Sequence, residues 1–221
     1  ILVIVMAINL LGDGVRDALD PRLRSGALTR PGAATRVDRA AVPEPRAEPA
    51  ALSVEDLRTA FHVKDRVHRA VGGVSLAVKP GECVGVIGES GSGKSVTALS
   101  VMGLVASPPG VITGGAARLH GEDLIGAPYE TLRSHRGRSV AYIFQDPLAT
   151  LHPLYRVGDQ LIEVIRAHRP IGRDEGRAKA AELLTAVRIP NAAARIDSYP
   201  HELSGGMRQR VGIAMALANE P

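Results

Sequence analysis

Tryptophan is absent from this chain of 221 residues, and two phenylalanines and four tyrosines are its only aromatic rings. A core must therefore be built from aliphatic side chains, and a platform that stacks successive nucleic-acid bases is excluded. Cysteine is nearly absent too. The lone Cys83 cannot close an intramolecular disulfide, and its place inside an apolar run reads as a small buried residue of a reducing compartment. Lysine supplies only four of the 27 basic residues, at 64, 79, 94 and 179, and the arginines that make up the rest are scattered along the chain. The net charge of +4 is thus a compositional bias, not the footprint of a nucleic-acid-binding face. The 24 glycines and 15 prolines follow no three-residue period, which excludes collagen. What is present, 45% hydrophobic and 23% charged residues, is the balance of a folded globular protein.

The composition changes along the chain. Ile1–Leu11 is apolar but too short to cross a bilayer alone, since a span needs about 20 residues. It reads either as a buried helix or as the last turns of a membrane helix. Arg16, Arg22, Arg24, Arg30, Arg36 and Arg39 follow it, as basic flanks follow a span on its cytoplasmic side. Residues 26–51 carry Pro31, Pro43, Pro45 and Pro49 among Ala, Arg and Glu and read as a linker.

From Leu52 onward the pattern is that of a folded domain. Leu52–Leu57 alternates partly and predicts an edge strand; Val74–Val78 predicts another, and Pro80-Gly81 a turn. Glu82–Ile87 is a short apolar run of the kind found in a buried strand, and Ser139–Phe144 predicts a further strand. Val157, Leu161, Val164 and Ile165 share one helical face, as do Ala180, Leu183, Leu184 and Val187. These stripes are packing surfaces.

Directly after the apolar run stands Gly88-Glu89-Ser90-Gly91-Ser92-Gly93-Lys94-Ser95, which fits G-x-x-x-x-G-K-[ST]. Glycines let the backbone curl so that successive N–H groups face phosphate oxygens. A helix predicted over Lys94–Leu104 adds the partial positive charge of its N-terminus, on the side of Val96. Lys94 offers a point charge to the β- and γ-phosphates, and the Ser95 hydroxyl can ligate Mg²⁺. A second motif, Leu203-Ser204-Gly205-Gly206-Met207-Arg208-Gln209-Arg210, lies about 110 residues downstream. It opens a helix carrying Met207, Val211, Met215 and Ala218 on one side, and so forms a second anion site at a helix N-terminus. Used in trans, Ser204 and Gly206 of one copy can close over the γ-phosphate held by another.

These two motifs at this separation resemble the Walker A and signature motifs of the ABC ATPases. Phe144-Gln145-Asp146-Pro147 between them matches that family's Q-loop. The wording GESGSGKSVT (88–97), FQDPLATLHP (144–153) and YPHELSGGMRQRVGIAMAL (199–217) is similar to the dipeptide/oligopeptide (peptide/nickel) importer branch. Met207 is usual there, whereas Gly73 stands where that branch often has Asp, and His152 where it has Asn. Asn9–Arg22 resembles the C-terminal end of the partner permease subunit of such importers.

The resemblance implies an α/β P-loop NTPase, an incomplete ABC nucleotide-binding domain with antiparallel edge strands and a helical subdomain. It divides the chain into a permease-tail-like segment (1–25), the linker (26–51) and the ATP-binding domain (52–221). ATP and Mg²⁺ are the expected cofactors, with Gly88 through Val96 holding the phosphates and Ser204, Gly205 and Gly206 acting in trans. Ser95 and Gln145 are expected on the metal, Gln145 also positioning the attacking water. Phe61 is expected either against the adenine or in the core. The expected partners are a second ATP-binding subunit, two permease subunits and an extracytoplasmic solute-binding protein at the cytoplasmic face of the membrane, with no nucleic acid. The function implied is coupling of ATP hydrolysis to uptake of peptides or related small solutes.

In this family a Walker B aspartate and a catalytic glutamate follow the point where the sequence reaches Pro221, and Glu220 is not in their place. The expectation is therefore a chain that binds phosphate but does not hydrolyse, with Glu82–Ile87 left as an unpaired edge. The alternatives are a non-catalytic product of a broken or fused gene, and an ABC ATPase outside transport. The latter is disfavoured because 96–203 has neither a cysteine pair nor sustained heptads.

Overall fold

The computed structural model describes residues 3–4, 50–63, 65–144 and 150–221. In chain order its elements are β1 (Val3–Ile4), β2 (Leu52–Val63), β3 (Arg66–Val78), α1 (Lys94–Val101), β4 (Gly110–Leu119), β5 (Glu122–Asp123), α2 (Tyr129–His135), β6 (Ala141–Tyr142), α3 (Val157–Arg166), α4 (Arg173–Ala186), α5 (Ala192–Arg195), a 3₁₀ turn (Pro200–Glu202) and α6 (Gly205–Leu217). They fall into two compact units, Met6–Arg133 and Ser134–Pro221 together with Ile1–Val5.

The first unit is built on an antiparallel sheet of order β3-β2-β4-β5. β2 was expected at an edge. It lies instead in the middle, paired with β3 from Leu52↔Val78 to Val63↔Arg66 and with β4 from Leu52↔Leu119 to Phe61↔Gly110. Partial alternation in Leu52–Leu57 hid this, because both faces of the strand are covered: Ser53, Val54 and Glu55 are all buried in succession. Ala51, the last residue of the expected linker, is buried, and its N–H bonds Val78 O at 2.8 Å. One ion pair is buried in this sheet: Arg118 of β4 binds Glu55 of β2, whose carboxylate also accepts from Ser53 Oγ at 3.2 Å.

Glu82–Ile87, expected as a buried strand, forms none. No described strand pairs with it, Val84 and Val86 are exposed, Ile87 is 98% exposed, and Cys83 is exposed rather than buried. An apolar run becomes a core strand only where neighbours supply hydrogen bonds and cover. The turn before it is as expected: Gly81 has φ +76°, Glu82 N bonds Lys79 O at 3.0 Å, and Glu82 Oε2 accepts from Lys79 N at 2.7 Å. Gly73 has φ +110°, and a Cβ there would stand 2.7 Å from Asp56 Oδ1. Aspartate at 73 would therefore meet strain and a like charge together.

The second unit is mainly helical. Its core gathers Leu151, Val157, Leu161, Ala180, Leu184, Ile189, Leu203, Val211 and Ala214, with Leu183, Val187, Met207 and Met215 packed on it. The apolar stripes foreseen for α3, α4 and α6 thus meet one another. The expected strand Ser139–Phe144 shrinks to β6, which pairs in parallel with β1 as Val3↔Ala141 and Ile4↔Tyr142. Val3–Ile4 is therefore strand, where a buried helix or the last turns of a membrane helix were expected. The rest of 1–25 lies outside the described residues, and so does 26–49.

Candidate functional site

The cradle is held by the sheet. Gly93 precedes α1 with φ 92°, and a Cβ on it would approach Ala70 O of β3 to 2.3 Å, so no other residue fits between loop and strand. The first intrahelical bond runs from Thr97 N to Gly93 O at 2.8 Å, and Thr97 Oγ1 bonds the same carbonyl at 2.9 Å. The N–H groups of Lys94, Ser95 and Val96 are thereby left without intrahelical acceptors and open the helix toward the loop. Ser92 N closes the loop on Glu89 O at 3.2 Å. Lys94 Nζ folds inward onto Gly88 O and Glu89 O, each at 2.7 Å, and onto Ser92 Oγ at 3.3 Å. An ammonium held by carbonyls inside an exposed, glycine-rich loop marks the position where an anion can be received. α1 ends at Val101 rather than at Leu104, because Met102 caps it and Gly103 turns to φ +62°.

Behind the cradle, Thr59 Oγ1 of β2 meets Ser100 Oγ of α1 at 2.8 Å, and Ser100 Oγ also donates to Val96 O at 2.7 Å. Neither residue was singled out from the sequence, because the bond joins positions far apart in the chain. Phe61, two residues further along β2, is half-buried and its ring lies 3.1 Å from where a Cβ of Gly110 would stand. It packs on the sheet beside Gly110.

In the other unit the signature residues form a helix start. Ser204 caps α6, its Oγ accepting from Met207 N at 3.3 Å. Ser204, Gly205 and Gly206 are exposed, and a Cβ on either glycine would meet nothing within 4 Å. Their smallness is not required by this unit's own packing. Ahead of them stands a cluster the sequence did not signal. Arg177 of α4 grips Asp197 with Nη1 on Oδ1 at 3.0 Å and Nη2 on Oδ2 at 2.8 Å, and Arg156 Nη1 reaches Oδ1 at 3.3 Å. The Arg177 guanidinium holds the Asp197 carboxyl below the ordinary carboxylate range, helped by Arg156 and opposed by partial desolvation. Arg156 also stands 5.8 Å from the centre of the Tyr199 ring.

Phe144 ends a shallow cleft lined by Tyr142, Ile143, Thr150, Gln209 and Gly212. Burial pushes the Tyr142 phenol up. Gln145, expected on metal and water, lies outside the described residues.

A model of the ABC transporter family matches residues 71–221. The chain belongs to that family. Among curated ABC proteins it is 46% identical over 170 residues to the probable peptide ABC transporter ATP-binding protein y4tR of Sinorhizobium fredii, covering 77% of this chain and 51% of that one. It is 43% identical over 172 residues to the oligopeptide transport ATP-binding protein OppD of Escherichia coli, covering 78% and 50% respectively. The chain spans about half the length of these relatives. Among solved ABC structures, the dimeric cassette MJ0796 matches with a TM-score of 0.67 and 27% identity over 77% of this chain and 70% of that one. A post-hydrolysis dimer of MJ0796 bound to ADP and Pi matches with a TM-score of 0.64, 27% identity and the same coverage. The ABC ATPase cassette fold, a P-loop NTPase with an antiparallel sheet and helices, is thereby established.

Proposed function

We propose that this chain is the ATP-binding part of a peptide-type ABC importer, which turns ATP binding and hydrolysis into uptake of peptides or related small solutes. The observation that carries this reading is the Gly88–Ser95 cradle with Lys94 drawn into it. An entering triphosphate replaces the Gly88 and Glu89 carbonyls as partner of Lys94, and the open N–H groups at the start of α1 take its oxygens. The cradle fits Mg·ATP: the Ser95 hydroxyl, at the first turn of α1, has no hydrogen-bond partner among the described residues and is the right donor type for a hard cation. When bound, Mg²⁺ neutralises charge on the β- and γ-phosphates. Gln145 is proposed as its second protein contact, and the half-buried Phe61 is proposed against the base.

Ser204, Gly205 and Gly206 form the second half of the site, in trans. Their exposure and the empty space around the two glycines suit close approach of a second copy's nucleotide. The two dimeric MJ0796 cassettes of the same fold support such a pairing. The further partners are two membrane permeases and an extracytoplasmic solute-binding protein, at the cytoplasmic face of the membrane. Peptide as the cargo class rests on the peptide-import relatives.

The test is calorimetric titration of the full-length protein with Mg·ATP. The wild type binds, and Lys94→Ala loses at least about tenfold in affinity, the worth of one charge-assisted contact to phosphate. Equal affinity of wild type and variant overturns the reading.

A further inference from the structure

We propose that Asp197 is a positioning residue for the signature loop, setting the N-terminus of α6 in the place from which it meets a second copy's nucleotide. The inference rests on the trans site proposed above.

Two segments converge on this carboxylate. Arg177 brings the first turns of α4 to it through a two-pronged contact, which fixes the orientation of the carboxylate plane as well as its position. Arg156, immediately before α3, adds a second guanidinium. The backbone on either side is tied to the same place: Val157 N bonds Ser198 O at 2.9 Å, and Gly158 N bonds Ile196 O at 2.8 Å. From Asp197 the chain runs to Ser204 with little freedom. Tyr199 N is closed onto Glu202 Oε2 at 2.6 Å, and Pro200 and Leu203 are buried. Ser204 then caps α6.

Ser204, Gly205 and Gly206 are exposed, and a Cβ on either glycine would point into open space. Their position is therefore set from two sides, by the segment that leads into them and by the packing of Met207 and Val211 of α6 on the helical core. The Asp197 side chain is 42% exposed, and an ion pair that open contributes little to folding stability. Two guanidiniums on one such carboxylate are more than stability requires, but they suit orientation. A helix start that must meet a phosphate within hydrogen-bond distance is sensitive to displacements of about 1 Å.

The experiment uses the full-length protein. Nucleotide-driven dimerisation is measured by analytical ultracentrifugation with a non-hydrolysable ATP analogue. Affinity for the analogue is measured separately at concentrations where the protein is monomeric, and Tm is recorded for each variant. Asp197→Asn keeps the shape but cannot hold two guanidiniums by charge. It is expected to weaken dimerisation by about tenfold while leaving monomer affinity within about twofold. Arg177→Met behaves in the same way, and Asp197→Glu recovers part of the loss. A merely structural role would lower Tm and monomer affinity together. That outcome overturns the proposal, as does unchanged dimerisation of Asp197→Asn. Gly206→Asp separates this proposal from the reading beneath it. If Gly206→Asp blocks dimerisation and Asp197→Asn does not, only the positioning role falls. A wild type that does not dimerise with the analogue removes the trans site, and the proposal with it.

Discussion

Thr59 Oγ1 of the central strand lies 2.8 Å from Ser100 Oγ on the helix that follows the phosphate loop, and both residues are buried. The contact passes on to the first turn of that helix, because Ser100 Oγ also bonds Val96 O. The sheet and the cradle are thus joined by a polar bond inside an apolar interface. Thr59→Val is expected to cost about 1–3 kcal/mol, since it removes a buried hydroxyl partner without changing shape. Ser100→Ala should cost a similar amount. The two together should cost less than their sum, because the second removes a partner already lost. Urea unfolding midpoints of the two single variants and the double variant decide it, and strict additivity would refute the coupling.

The buried pair of Glu55 and Arg118 behaves differently. Their side chains are 6% and 8% exposed, so removing one charge leaves the other buried in the sheet without this counter-charge. Glu55→Gln or Arg118→Met alone is expected to destabilise by about 3–5 kcal/mol, and the double change Glu55→Leu with Arg118→Met to recover most of that loss. Equilibrium denaturation measures all three.

Gly93→Ala tests the support of the cradle from the sheet side. The new methyl group would meet Ala70 O at 2.3 Å, and the backbone at φ 92° disfavours any Cβ. Since neither β3 nor the loop can give way cheaply, Mg·ATP affinity should fall by at least about tenfold, as expected when a left-handed position costs about 1–2 kcal/mol before any clash is counted. Gly172→Ala is the control. A Cβ there meets nothing within 4 Å, and the change should leave affinity unchanged in the same titration.

How much of this was legible beforehand follows from distance along the chain. The cradle and the Ser204 cap could be read directly, since each is a local geometry written in consecutive residues. The helical stripes of α3, α4 and α6 were legible for the same reason. Pairings between distant positions were not. Arg118 is 63 residues from Glu55, and Arg177 is 20 from Asp197, with no local pattern to announce either. β4 was missed because Gly110, Gly114 and Gly115 dilute its apolar signal. Glu82–Ile87 failed in the opposite direction: its apolar content calls for burial, but only neighbouring strands could supply it, and no described strand does.

The same Asp197–Arg177 contact makes a prediction in pH. The carboxyl is held below the ordinary carboxylate range, chiefly by the hydrogen bond from Arg177, so the folded state takes up its proton at lower pH than the unfolded chain does. A group depressed in this way stabilises fully above its unfolded value, near pH 4, and the contribution disappears as pH falls through the lower, folded value. Near neutral pH the contact is complete. Comparing Tm of wild type and Asp197→Asn from pH 7 down to pH 2 should therefore show a gap that is small, because the pair is open, and constant at first, then narrows below about pH 4 as the wild-type carboxyl protonates. Because the pair is open to solvent, added salt should shrink the gap at pH 7 as well. A gap that widens toward acid would mean that the carboxyl is not held down by its arginines, and the orientation assigned to the turn before Ser204 would lose its physical basis.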